Sequence, residues 1–280
     1  MKVTVLVDNL RNGPLKGEWG LSFLIEYEKW KILLDTGASG LFARNARRLG
    51  IDLGEVDHAV LSHAHYDHSD GMSAFFREND HASLYIREKA EEDCYSQKWL
   101  CKKYIGIKRG ELKRYQDRIV RVAGDYELEE GIYLIPHKAA QLERAGLRAG
   151  MYRRTGRHWR PDDFSHEQSL VFETQKGLVI FNSCSHGGVE VIIREVMDTF
   201  PASRSTRCWE GSTCSISRRR KCAPWRARSS PQAWRRSTPA TVPERRRSRS
   251  CARRWEARCG SGRRECGSAF NLLYQNLKSS

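Results

Sequence analysis

Three histidines and an aspartate fall within six residues, His63-Ala64-His65-Tyr66-Asp67-His68, directly behind the apolar run Ala59-Val60-Leu61. A short buried strand running into such a loop narrows the folds open to the chain. The strand needs apolar layers around it, and the clustered lone pairs need water or a cation. Neutral imidazole and carboxylate are the ligand types that borderline divalent metals prefer, zinc above all. Side chains of extended backbone repeat every second residue, so His63 and His65 point the same way. Asp67 and His68 then fall in the turn, where they can face a second ion. A solvated polar loop is the plainer reading, but four clustered ligands seldom serve only as surface.

The flanking pattern alternates strands with helices. Lys2–Val7 reads as a strand, Leu21–Tyr27 and Trp30–Leu34 as a hairpin ending in Asp35-Thr36-Gly37, and Leu41–Leu49 as a helix stopped by Gly50. Ser83–Ile86 reads as a strand and Arg87–Leu100 as a helix; Cys101 to Asp163 reads as irregular, basic and aromatic, with candidate strands at Ile119–Val122 and Ile132–Ile135. Ser169–Thr174 and Leu178–Asn182 form a second hairpin, and Val189–Phe200 is amphipathic and helical. Strand pairs alternating with helices predict an α/β sandwich with helices on the outer faces of mixed sheets. A second strand–His–turn unit, Asn182-Ser183-Cys184-Ser185-His186-Gly187-Gly188, supplies His186 as the further ligand that the first cluster needs.

Asp35–Gly37, His63–His68 and Ser185–Gly188 together resemble the motifs of the metallo-β-lactamase superfamily. Asp162–Val171, Gly177–Ile180 and Cys184–His186 resemble one subgroup of it, the dihydropterin-ribofuranosylaminobenzene-phosphate synthase-like metal-dependent hydrolases. The resemblance covers residues 1–200 and implies an αββα sandwich with a one- or two-ion site at the sheet edge. His63, His65 and His186 would bind the first ion, Asp67 and His68 the second. Zinc is the first choice of metal, with manganese and iron as alternatives. The implied activity is hydrolysis by hydroxide formed on the ion, since zinc lowers the pKa of its water to about 7. Asp67 would orient that nucleophile or take its proton. Asp35, with Gly37 closing its turn, would hydrogen-bond beneath the histidines; the alternative for Asp35 is a carboxylate serving only a glycine turn. His166 is a candidate on the substrate side, or fixes its loop together with Glu167. Lys102–Arg121 and Arg153–Arg160 could form a positive rim for a small phosphorylated or otherwise anionic substrate; the plainer reading is a solvated surface.

Composition breaks at position 200. Residues 201–280 hold 20 of the 49 Lys and Arg but 4 of the 34 Asp and Glu, with six of the nine Cys and none of the nine His. The superfamily pattern requires two later segments, GGFHL and TGHCTG, and neither occurs. Read two bases late, however, codons for Arg204–Ser215 can spell VYAVLGGFHLF, and codons for Ser237–Glu244 can spell YTGHCTG. The same register continues to Phe270. We therefore read 1–200 as the truncated metallo-β-lactamase-like domain, incomplete at its C-terminus, and 201–280 as an out-of-frame, disordered tail produced by a frameshift near Phe200–Pro201. In the chain as written, the lost histidines would impair the second ion site. Two alternatives remain at this stage: an inactive remnant, or a nucleic-acid-binding protein using the basic tail. Nucleic acid is not the expected partner, because basic runs are more often solvated than specific. No apolar run is long enough for a membrane span and no secretory signal is apparent, so a cytoplasmic location is expected.

Overall fold

The computed structural model describes residues 1–10, 15–201 and 206–210. All of them lie within the unit Met1–Arg228. The expectations for the tail beyond Glu210, disorder included, lie outside the described residues. In chain order the first half forms β1 (Lys2–Val7), β2 (Ser22–Tyr27), β3 (Trp30–Leu34), α1 (Leu41–Arg48), β4 (His58–Val60), α2 (Tyr66–Ser69), α3 (Met72–Glu78), β5 (Ser83–Arg87), β6 (Cys94–Lys98) and β7 (Cys101–Tyr104). The second half adds α4 (Glu111–Arg114), β8 (Ile119–Val122), β9 (Tyr126–Glu129), β10 (Ile132–Pro136), α5 (Glu143–Ala149), β11 (Met151–Thr155), β12 (His158–Pro161), β13 (Gln168–Thr174), β14 (Gly177–Asn182), α6 (Val189–Thr199) and β15 (Thr206–Glu210).

Two sheets carry the domain. The first runs β1-β2-β3-β4-β5-β8 and the second β15-β14-β13-β10-β9. Period-2 alternation sorts their side chains into layers. Phe23, Ile25, Ile32 and Leu34 of the first sheet meet Leu134, Leu170, Phe172 and Phe181 of the second in one buried core. The intervening residues face outward: Leu24 and Leu33 pack with Phe42, Ala46 and Phe75 of α1 and α3. On the far side Val171, Leu178 and Ile180 pack with Ile192 and Val196 of α6. The result is the expected αββα sandwich. Strand β15 pairs in parallel with β14 and adds a strand from beyond position 200 to the second sheet. No described helix is long and apolar enough to cross a membrane.

Between Arg87 and Asp163, β8 and β10 fall on the two anticipated strands, and the rest departs from expectation. The helix anticipated over Arg87–Leu100 is a turn followed by β6, and the irregular region contains a third, antiparallel sheet, β12-β11-β6-β7. Cys94 and Cys101 therefore sit on paired strands. The cause is tertiary. β6 is fixed by β11, with Tyr152 opposite Tyr95 and Arg153 opposite Cys94, and such distant pairing leaves no local period to read.

Candidate metal centre

β3, β4 and β5 are parallel, so the loops leaving their C-terminal ends gather at one edge of the first sheet. Asp35 leaves β3 there and His63 and His65 follow β4; the Ser183–His186 turn arrives from the end of β14. One donor atom from each of His63, His65 and His186 lies within 4.8 Å of the other two. All three rings leave a buried Nε2 without a hydrogen-bond partner. Burial first, then repulsion among the neighbouring imidazoles, holds His63 and His65 well below the usual histidine range. Neutral rings with open lone pairs are what a divalent ion requires. The residues present thus fit a metal.

Asp35 organises this edge. It adopts φ 61° and accepts from the Ser62 N–H and Ser62 Oγ–H, both at 2.7 Å, and from His68 Nδ1–H at 2.7 Å. Ser183 Oγ–H donates to the same carboxylate. Because the single Ser62 hydroxyl proton goes to Asp35, Ser62 Oγ accepts from His63 Nδ1–H at 2.8 Å. That choice of tautomer leaves the His63 lone pair on Nε2. Asp35 thus ties both halves of the site together, beyond serving a local turn. Gly37, at φ 71°, donates its N–H to Leu21 O at 3.0 Å and accepts from Gly71 N–H at 3.3 Å. Gly71 itself lies so close to the preceding loop that a Cβ there would stand 2.0 Å from Thr36 O. The helix-side and strand-side loops are therefore locked backbone against backbone.

His68 turns its Nε2 away from Asp35 toward Cys184 Sγ at 3.2 Å, with Asp67 Oδ2 at 3.8 Å. Burial opposes charge on His68, but Cys184 and Asp35 raise its proton affinity well above the ordinary value. Burial likewise opposes a Cys184 thiolate, yet the imidazoles of His68 and His186 bring the thiol down to about 7. Asp67 is buried beside this pair. Its carboxylate is not among the described ligand groupings, which here consist of His63, His68 and Cys184.

His166 stands beside His65, their ring centroids 5.4 Å apart. It is fully buried, takes a hydrogen bond from Ala64 N–H at 3.2 Å on Nδ1, and reaches Asp162 with Nε2 at 3.1 Å. The segment between His63 and His65 is thereby fixed from below, which is the loop-fixing alternative. Glu167 does related work for the other loop. Its carboxylate accepts from the backbone N–H of His186 and Gly187, each at 3.2 Å, and from His137 Nε2–H at 2.9 Å. His137 Nδ1 meets Glu195 at 2.9 Å, and Glu195 also accepts from the N–H of Lys138 and Ala139. Burial disfavours charge on His137, but the two carboxylates outweigh it and raise its pKa to about 9. Glu167 is held at about 2, burial notwithstanding, chiefly by His137. Sequence reasoning gave His137 no role, for no spacing marks it. Cys184 was visible within the second motif yet unassigned, because only the folded chain brings it to His68.

Comparisons with known proteins agree with this geometry. The profile of the metallo-beta-lactamase superfamily matches residues 19–200, and the chain belongs to that superfamily. It is 28% identical over 190 residues to the uncharacterized protein MJ0448 of Methanocaldococcus jannaschii, covering 67% of this chain and 70% of the relative. It is 26% identical over 202 residues to the 7,8-dihydropterin-6-methyl-4-(beta-D-ribofuranosyl)-aminobenzene-5'-phosphate synthase of the same organism, covering 66% of this chain and 67% of that one. Among solved structures it is similar to Tm1679, described as a metal-dependent hydrolase of the beta-lactamase superfamily. That likeness has a TM-score of 0.63 and 26% identity, and covers 77% of this chain and 78% of the other.

Proposed function

We propose that this protein is a metal-dependent hydrolase acting on a small anionic substrate. The observation that carries the reading is the convergence of His63, His65 and His186, each with a buried, unpartnered Nε2. Those three residues would hold a divalent ion, zinc by the all-nitrogen donor set. Bound there, the ion supplies Lewis acidity and lowers the pKa of water from about 16 to about 7. The protein supplies the rest. Asp67, buried beside His68, would orient the attacking water and take its proton. Through Ser62, Asp35 keeps His63 in the tautomer that presents Nε2; Asp35 also accepts from His68 Nδ1–H, and Glu167 pins the backbone of His186. The third sheet supports the choice of an anionic substrate. It reaches the site through Tyr66 N–H bonded to Ile105 O and Asp162 N–H bonded to Met151 O, and it carries Lys102, Lys103, Arg154 and Arg160.

Metal content tests this reading. Purified protein should retain about one or more equivalents of zinc, and the double variant His63→Ala/His65→Ala should retain none. Equal content in the two proteins would overturn it. We also read residues beyond Phe200 as out of frame and the protein as cytoplasmic; the nucleotide sequence around the Phe200 codon tests the former.

A further inference from the structure

The turn between β6 and β7 leaves two large apolar side chains in water. Trp99 and Leu100 are each 96% exposed. They form a two-residue turn closed by the Lys98–Cys101 pair, and Trp99 stands there at φ 58°. Turns of this length give left-handed positions to Gly, Asn or Asp, because a bulky side chain is strained in them. The fold therefore gains nothing from a tryptophan at this tip. The end of α5 lies beside it. Gly150 O accepts from Gln97 N–H at 2.7 Å, and Gly150 N–H donates to Leu147 O at 3.2 Å; Leu147 is a third exposed apolar side chain.

We propose that this tip docks the protein on the surface of a bilayer containing anionic lipids. Charge selects the occupant. Residues 94–104 and 144–160 hold nine Lys and Arg and no Asp or Glu, and Lys98, Lys103, Arg144 and Arg148 are exposed on the elements that meet at the tip. A second copy of the chain would bring the same cations. Residues 201–280, with 20 Lys and Arg against 4 Asp and Glu, would be repelled as well, so the complement is an anion from outside the chain. Tryptophan on a protruding turn seats at headgroup level and leucine just below it, while flanking Lys and Arg pair with lipid phosphates. A nucleic acid offers phosphates and a stacking partner for Trp99, but no apolar layer for Leu100. The metal edge is at the other end of β7, where Ile105 O accepts from Tyr66 N–H at 2.9 Å. Four steps of about 3.3 Å separate Cys101 from Ile105, so tip and metal edge are distinct ends of one strand.

Sedimentation of the full chain with phosphatidylcholine vesicles, with and without phosphatidylglycerol, tests this. Wild-type protein should bind the anionic vesicles about tenfold or more tightly than the neutral ones. Trp99→Ser/Leu100→Ser keeps every charge, and with it any adhesion due to charge alone. It should weaken binding about 10- to 100-fold, the loss expected when such side chains stay out of the acyl layer. Trp99→Asn/Leu100→Gly, residues that the turn favours, gives the same readout should the serine pair fold poorly. Lys98→Gln should cost about fivefold. Lipids brominated in their acyl chains should quench wild-type emission, and quench Trp99→Phe less. Equal affinity of wild type and both double variants overturns the proposal, as does unchanged quenching in Trp99→Phe or no binding to anionic vesicles. An oligonucleotide whose binding is lost in the double variants, with vesicle affinity unaltered, would overturn it in favour of nucleic acid. Bound metal enters none of these readouts, so the hydrolase reading is tested separately.

Discussion

Two groups of buried histidines share one core and behave differently. His63, His65 and His186 each leave a ring nitrogen without a partner, whereas His137 and His166 have both nitrogens engaged by carboxylates or backbone. Burial is nearly the same in both groups. The difference lies in whether the fold supplies a hydrogen-bond partner, and only an unanswered lone pair points to a ligand from outside the chain.

That contrast can be broken experimentally. The largest expected effect is in ion content: His63→Ala should lose bound metal, while His137→Gln should keep it. Retention in the first, or loss in the second, measured by elemental analysis of folded protein, would erase the distinction. Next comes Asp35→Asn, which keeps the shape but removes the carboxylate that orders His68 and Ser183. Metal affinity should fall about 10- to 100-fold by competition with a chelating dye.

Stability against pH sharpens the other side. His137 has a raised pKa, so its contribution is complete below its ordinary value of 6.5 and is lost as pH rises through about 9. Glu167 has a lowered pKa, so its contribution is complete above 4.5 and is lost as pH falls through about 2. Denaturation midpoints should therefore be flat between these limits and decline on either side. The alkaline loss is about 3 kcal/mol, and His137→Gln should flatten it. The smallest effect is expected from Gly187→Ala. Its Cβ would stand 2.4 Å from His137 Cε1, costing about 1–3 kcal/mol in chemical unfolding as the ring is displaced.

What could be read from the chain follows the range of the interactions involved. The layers were legible because Phe23-Leu24-Ile25 and Ile32-Leu33-Leu34 are unbroken apolar runs, as strands covered on both faces require, and because α1 and α6 repeat at helical spacing. His63, His65 and His68 were legible because their ligand types are crowded into one loop. The third sheet was not, since the partner of Tyr95 is Tyr152 and nothing near either predicts the other. His166 shows the same limit: its backbone partner is Ala64, 102 residues earlier. Cys184 lies 116 residues from His68, and its chemistry exists only after β14 has been laid beside the first sheet.

The contact of Gly71 with Thr36 has a kinetic corollary. Loops interlocked at backbone level cannot swing apart to admit an ion and then close over it, so the cavity is shaped during folding and stays shaped. Capture should then resemble docking into a rigid mould, with association rates set by dehydration of the incoming ion and largely indifferent to solvent viscosity.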